Sequence, residues 1–275
     1  MQAVKKIRFT SVCVSIMVIS LMFAGISYAK IDFKNCVGMW LFDEDKGDVA
    51  KDSSSKGNDG KVVGKAKRVD GRFGSALDFD GKADFVDVKL DVLNLSKDQS
   101  FSLWFKTKID QNIHAQALNA PHAEKNRLWL WIMRNGHGAR GKLGFGFRAS
   151  DIGYEVTSGK PLNDGNWHHA VAVFDHAAKK GLLYIDGKLD IEKTIEKVKF
   201  TASQKRLCIA SGCGGNNSFW LGQIDDVGVF NVALKEGDVK SIMNEGLRKA
   251  LGVGGVTAVS PTGKLTTIWA VTKAQ

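Results

Sequence analysis

The chain has 275 residues, 44% hydrophobic and 25% charged, which excludes a disordered protein and leaves enough apolar surface for a sizeable core. Thirty Gly against three Pro favour short strands joined by tight turns over long helices. The formal charge of +10 is dispersed along the sequence rather than gathered in an arm, so nucleic acid is not a supported partner.

Residues 1–29 read as a cleaved signal peptide. Lys5, Lys6 and Arg8 precede an apolar run from Val12 to Ile26, and Ser27-Tyr28-Ala29 places small residues at a cleavage site. The run, about 15 residues, falls short of the roughly 20 that a membrane-spanning helix needs. The expected location is therefore secreted, periplasmic or cell-surface, with no membrane span after cleavage. Losing three cations lowers the charge from +10 to +7. Residues 30–250 read as one domain and 251–275 as a C-terminal tail with a possible extra strand at 265–271.

From residue 37 onward, short stretches of alternating hydrophobicity are separated by Gly, Asp and Asn, the pattern of antiparallel strands. Ala76 to Phe79 and Phe85 to Val88 flank Asp80-Gly81-Lys82-Ala83-Asp84 and predict a hairpin. Phe101, Leu103 and Phe105 share one face of a central strand. In a second central strand, Leu128, Leu130 and Ile132 face opposite Trp129 and Trp131. Residues 110–126, with His114, Pro121 and His122, show no clear period and read as a long exposed loop. Trp167 to Phe174 and Gly181 to Ile185 are two more strands, the second ending in Asp186-Gly187, a strong two-residue turn signal. One helix is predicted near the C-terminus from Val239, Ile242 and Met243, with Glu236 and Asp238 in its first turn and Gly246 able to cap its end. It is expected to pack on an edge.

Of the four cysteines, Cys13 leaves with the leader. Cys208 and Cys213 flank Ile-Ala-Ser-Gly, a spacing that a local disulfide can close, and Cys36 is left over.

In order along the chain, Gly38-Met39-Trp40-Leu41-Phe42-Asp43-Glu44, Asp52 to Gly60, Gly74-Ser75-Ala76-Leu77-Asp78-Phe79-Asp80-Gly81, Asn166-Trp167-His168-His169-Ala170-Val171, Leu183-Tyr184-Ile185-Asp186-Gly187-Lys188 and Ile224-Asp225-Asp226-Val227-Gly228-Val229-Phe230 resemble the laminin-G-like modules of the concanavalin A-like lectin/glucanase superfamily. The resemblance covers 37 to about 248. It implies an all-β, two-sheet antiparallel β-sandwich (jelly roll) with one short helix near the C-terminus, which the alternation and Asp-Gly turns favour independently. Function does not follow from this fold, which serves lectins, adhesion domains and glycosidases alike.

No carboxylate pair of glycosidase type stands out. Glu192 and Glu196 lie among lysines with Thr194 between them, which reads as a solvated edge strand, and no HExxH, GxSxG or P-loop occurs. The expectation is a non-catalytic binding module for carbohydrate or glycoprotein, with a protein-binding adhesion domain as the alternative and a glycoside hydrolase as the third reading. Trp129 and Trp131 are the candidate sugar platform, with Arg127, Arg134 and Arg148 nearby; the competing reading buries the tryptophans in the core. The resemblance also implies calcium as a possible cofactor, pairing Glu44 with Asp225, and Asp80 with Asp84 form a second candidate ligand set; turn chemistry explains such acidic segments equally well. Lys61, Lys65, Lys67, Arg68 and Arg72 are the densest cationic group and read as a solvated hairpin.

Overall fold

The computed structural model describes residues 31–94, 97–110, 114–120, 126–132, 140–149, 152–195, 203–213 and 218–253. The leader, the predicted strand at 265–271, and Pro121, His122, Arg134 and Glu196 lie outside them.

The described residues form two antiparallel sheets. The first runs in the order β14 (Lys188–Thr194), β13 (Lys180–Ile185), β12 (Trp167–Asp175), β7 (Gln99–Lys106), β16 (Leu221–Phe230), β5 (Ser75–Asp80) and β4 (Lys67–Asp70), with β1 (Cys36–Trp40) paired to the far half of β16. The second runs β11 (Ile152–Thr157), β10 (Leu143–Ala149), β9 (Asn126–Ile132), β8 (Ala115–Ala120), β15 (Ser203–Ile209), β6 (Phe85–Asn94), β3 (Gly60–Val63) and β2 (Val49–Ala50). Alternate residues of both sheets meet in one core. Phe101, Leu103 and Phe105 from the first pack with Val86, Val88, Leu130, Phe145 and Phe147 from the second, as the period of two requires. The strands at 101–105 and 128–132 are both internal to their sheets.

The helix α1 (Glu236–Ala250) does not pack on an edge. Val239, Ile242 and Leu247 lie against Met39, Val171, Val173, Tyr184 and Phe230, so the helix covers the outer face of the first sheet and builds a second apolar layer there. The sequence shows why: β1, β12 and β16 are apolar on both faces, the mark of strands buried on both sides. Gly246 adopts φ 74° and interrupts the helix, which resumes as far as Ala250. Asp226 Oδ2 accepts the Leu247 N–H at 2.8 Å across this break, supplying an acceptor for the donor that the interruption exposes.

Three local expectations need correction. The Asp80 turn is well formed, with Oδ1 accepting N–H groups of Lys82 and Ala83 at 2.8 and 3.0 Å and Gly81 at φ 73°. Yet β5 and β6 do not pair: β5 lies between β4 and β16, and β6 between β3 and β15. The turn is an arch between sheets, and turn chemistry alone does not distinguish an arch from a hairpin. The region 110–126 contains strand β8, whose alternation is hidden by a bulge between Gln116 and Leu118 that puts the adjacent Ala117 and Leu118 both in the core. The cationic cluster is divided, Lys61 lying on β3 of the second sheet and Lys67 and Arg68 on β4 of the first. In contrast, β13 and β14 do form a hairpin through Asp186 (φ 50°) and Gly187 (φ 76°), both in the left-handed region that a type I′ turn needs.

Candidate ligand-binding face

With α1 over the first sheet, the outer face of the second sheet is the candidate surface, although the loop at 211–213 covers it at β8 and β15, where Asn119 is 6% and Cys208 0% exposed. Residues that alternate with its core positions line up in rows across the ladder. One row reads Glu155, Gly146, Trp129, Asn119, Cys208, Asp87 and Lys61 on seven successive strands. A second reads Thr157, Gly144, Trp131 and Gln116.

Trp129 is the centre of this face. Its neighbour Leu130 is 1% exposed in the core, and Trp129, half-buried, lies on the opposite side. The indole sits on Gly146: a Cβ there would fall 2.5 Å from its Nε1 and 2.6 Å from Cε2. Glycine at 146 is therefore the seat of the ring. Trp131 stands opposite Gly144 and Gln116 in the same phase, and Arg127 and Arg148 oppose each other one step along the same ladder.

A pinned loop borders the tryptophan. Cys208 on β15 is bonded to Cys213, with Cα atoms 5.6 Å apart. Asn119 Nδ2 donates to the Gly212 carbonyl at 2.7 Å, and Arg206 Nη1 donates to the Cys213 carbonyl at 3.1 Å while Nε and Nη2 bind Asp87 at 2.6 and 3.1 Å. Gln116 Oε1 is buried beside Gly212 and, among the described residues, accepts no hydrogen bond. The bordering amides Gln116 and Asn119 were missed in the sequence because the β8 bulge conceals the strand that carries them. The Gly-Phe-Gly-Phe run at 144–147, small on one face and aromatic on the other, was the available signal. The remaining cysteine, Cys36, is buried, and burial pushes its thiol up to about 12, the state of an inert core residue.

The acidic candidates have protein partners of their own. Glu44 Oε1 accepts the Lys51 N–H at 2.7 Å and Oε2 faces Arg68 Nη1 at 2.9 Å. Asp225 Oδ2 accepts from the N–H groups of Arg72 and Phe73 at 2.7 and 2.9 Å, and Oδ1 from that of Asp226 at 2.7 Å. Asp84 Oδ1 accepts from Lys65 N at 2.6 Å, and Asp80 closes its turn. Among the described residues no group of three or more His, Cys, Asp or Glu is placed to hold a metal ion. These carboxylates are engaged by backbone amides and a guanidinium. The midpoint of thermal unfolding is expected to be the same in millimolar calcium and in chelator; a rise with calcium would show an ion on these residues.

His168 and His169 are structural. His169 Nε2 lies 3.0 Å from Ser102 Oγ, but both residues are 0% exposed, so no substrate reaches this Ser–His pair. Complete burial pushes His169 down to about 3. His168 places Nδ1 3.0 Å from Asp186 and Nε2 3.1 Å from Asp164; the bond to Asp186, helped by that to Asp164, raises its pKa. A raised folded value means stability that is whole below the unfolded pKa of about 6.5 and is lost as pH rises through the folded one. Unfolding midpoints measured between pH 6 and 8 should fall with pH, and His168→Gln should flatten that slope. Glu192, the carboxylate weighed for catalysis, is on edge strand β14 and pairs with Lys180 at 2.6 Å.

A family model described as the concanavalin A-like lectin/glucanases superfamily matches residues 80–240, more than half of the chain. Among curated proteins none matches. Solved structures share the fold at low identity. Domain 4 of AbnA, a GH43 extracellular arabinanase from Geobacillus stearothermophilus in complex with arabinotriose, superposes with TM-score 0.60 and 17% identity over 76% of this chain and 98% of that one. The binding domain of Paraclostridial Mosquitocidal Protein 1 gives 0.61 and 17% over 77% of this chain and 52% of that one. The binding domain of botulinum neurotoxin DC in complex with rat synaptotagmin II gives 0.61 and 12%, again over 77% and 52%. The chain thus spans about half the length of the toxin binding domains it matches.

Proposed function

The chain belongs to the concanavalin A-like lectin/glucanase superfamily, and from that premise we propose that it is an exported, non-catalytic module binding carbohydrate or a glycoconjugate on the outer face of its second sheet. The observation that carries this reading is Trp129, half-buried on the outer face and seated on Gly146 within a row that holds Asn119, Asp87 and Glu155. An indole offers a flat apolar surface to the C–H face of a pyranose ring, and neighbouring amides supply the directional hydrogen bonds that fix its orientation. Gln116 Oε1 is a buried acceptor at the edge of this platform, suited to a sugar hydroxyl.

Export is supported by the leader pattern and by the Cys208–Cys213 disulfide, which persists in oxidising compartments. Among the described residues no helix is long and apolar enough to cross a membrane. The non-catalytic reading is supported by similarity to a carbohydrate-complexed arabinanase domain and to toxin binding domains. The glycan reading is preferred to a protein-binding one because the large exposed apolar side chains among the described residues, Val49, Leu189 and Leu221, lie on three separate strands and form no common patch.

The test is titration of the mature protein with a panel of oligosaccharides, in parallel with Gly146→Val. The new side chain must displace the indole while suiting a strand, so affinity should fall about tenfold or more, a loss of about 1.4 kcal/mol, with the melting midpoint little changed. Equal affinities would remove Trp129 from the site. The absence of any glycan binding by the wild-type protein would overturn the proposal.

A further inference from the structure

The loop that Cys213 closes stands on the face that carries Trp129 and ends that face on one side. Asn119 on β8 is the register partner of Trp129, yet it is buried, because its Nδ2 donates to the Gly212 carbonyl at 2.7 Å. On β15, behind it, Cys208 is fully buried under its bond to Cys213, and Arg206 Nη1 donates to the Cys213 carbonyl at 3.1 Å. Toward the start of β8, a Cβ on Gly212 would stand 3.3 Å from Gln116 Oε1. Asn119, Cys208 and Arg206 thus hold the 212–213 backbone above β8 and β15. This barrier stands one strand spacing, about 4.8 Å, from the strand of Trp129.

In the other direction the face is low. The indole lies crosswise, from β9 onto Gly146 of β10, which has no side chain to rise beside it. Beyond Gly146 the row continues to Glu155 on β11, the last strand of the sheet among the described residues. From β9 to β11 is two strand spacings, about 10 Å. A sugar chain that crosses the strands can therefore leave over the β11 edge but meets the 212–213 backbone at β8. An interior unit continues on both sides and needs the space that the loop fills; a terminal unit continues on one side alone. We propose, resting on the glycan-binding reading above, that the site takes the end of a glycan chain, with the terminal ring on Trp129 against the loop and the rest leaving across β10 and β11. The Cys208–Cys213 bond then serves recognition as well as stability, since it fixes the barrier that makes the site end-selective.

The experiment is calorimetric titration of the mature chain with arabinan, xylan, galactan and mannan, each as a hexasaccharide and as a size-fractionated polymer. At a polymer length about tenfold greater, we expect one protein bound per chain at both lengths and an affinity per sugar unit about tenfold weaker for the polymer, which has fewer ends. A stoichiometry that grows with chain length would overturn end recognition while leaving glycan binding intact. Cys208→Ser/Cys213→Ser unties the loop and should bind several molecules per long chain, with its hexasaccharide affinity within about twofold of wild type. Asn119→Ala, which frees Gly212 with the disulfide intact, takes its place if the double variant fails to fold. A folded variant that still binds one molecule per long chain would show that the loop does not end the site and would overturn the proposal. Failure of the wild-type protein to bind any of the four glycans would overturn both readings.

Discussion

Trp129→Ala should reduce glycan affinity by about a hundredfold, about 2.7 kcal/mol, and leave the protein folded. The expectation rests on where the ring lies. Leu130 holds the core side of β9, while the indole rests on the Cα of Gly146 and keeps part of its surface in water. Removing it deletes the largest apolar surface of the outer row without opening a cavity between the sheets, so the stability loss should stay below about 2 kcal/mol, under the cost of emptying a core aromatic site. The measurement is paired: an oligosaccharide titration and a thermal melt on the same preparation. A variant that binds normally places the ligand elsewhere, and one that unfolds makes Trp129 a core residue. Trp129→Phe, which keeps a stacking ring, should retain part of the affinity in the first case.

The fold was largely legible because its signals are local and repeated. Alternation marked β7, β9, β12 and β13, and Asp186-Gly187 marked the β13–β14 hairpin, since a turn with two positive φ values leaves few other residue choices. What was not legible depends on contacts distant in sequence. Asp80-Gly81 makes the same sort of turn, yet the strands it joins belong to different sheets. Strand β8 reads as loop in the sequence because one bulged residue breaks its period. The helix was recognised, but its placement over the first sheet follows from the two-faced hydrophobicity of β1, β12 and β16, a property spread over three segments nearly 200 residues apart. At the site, the alternation of Trp129 with Leu130 was readable from sequence; the glycine beneath the indole and the loop pinned by Cys213, Asn119 and Arg206 are not sequence neighbours of it.

The acidic pair Asp225-Asp226 shows the same limit, and its substitution should have the largest effect on stability. The pair sits where β16 changes partner from β5 to β1. Asp225 accepts three backbone N–H groups, two from the Arg72-Phe73 turn, and Asp226 holds the broken helix through Leu247. These bonds join the 71–74 turn to the sheet through the Asp225 carboxyl. Asp225→Ala leaves those three donors without their acceptor in a buried setting and should cost about 3–5 kcal/mol, a fall of roughly 10 °C in the melting midpoint for a domain of this size. Burial, with the charge of Asp226, pushes Asp225 up to about 8. Between the unfolded carboxyl pKa of about 4 and that value, the folded chain keeps a proton that the unfolded chain has released, so the contribution of Asp225 is whole at low pH and declines as pH rises through its folded pKa. The gap in stability between wild type and Asp225→Ala should therefore be wide at pH 6 and narrower at pH 9. A gap that widens with pH would mean that the three amides hold Asp225 ionised throughout, and that its charge, rather than its burial, secures the turn.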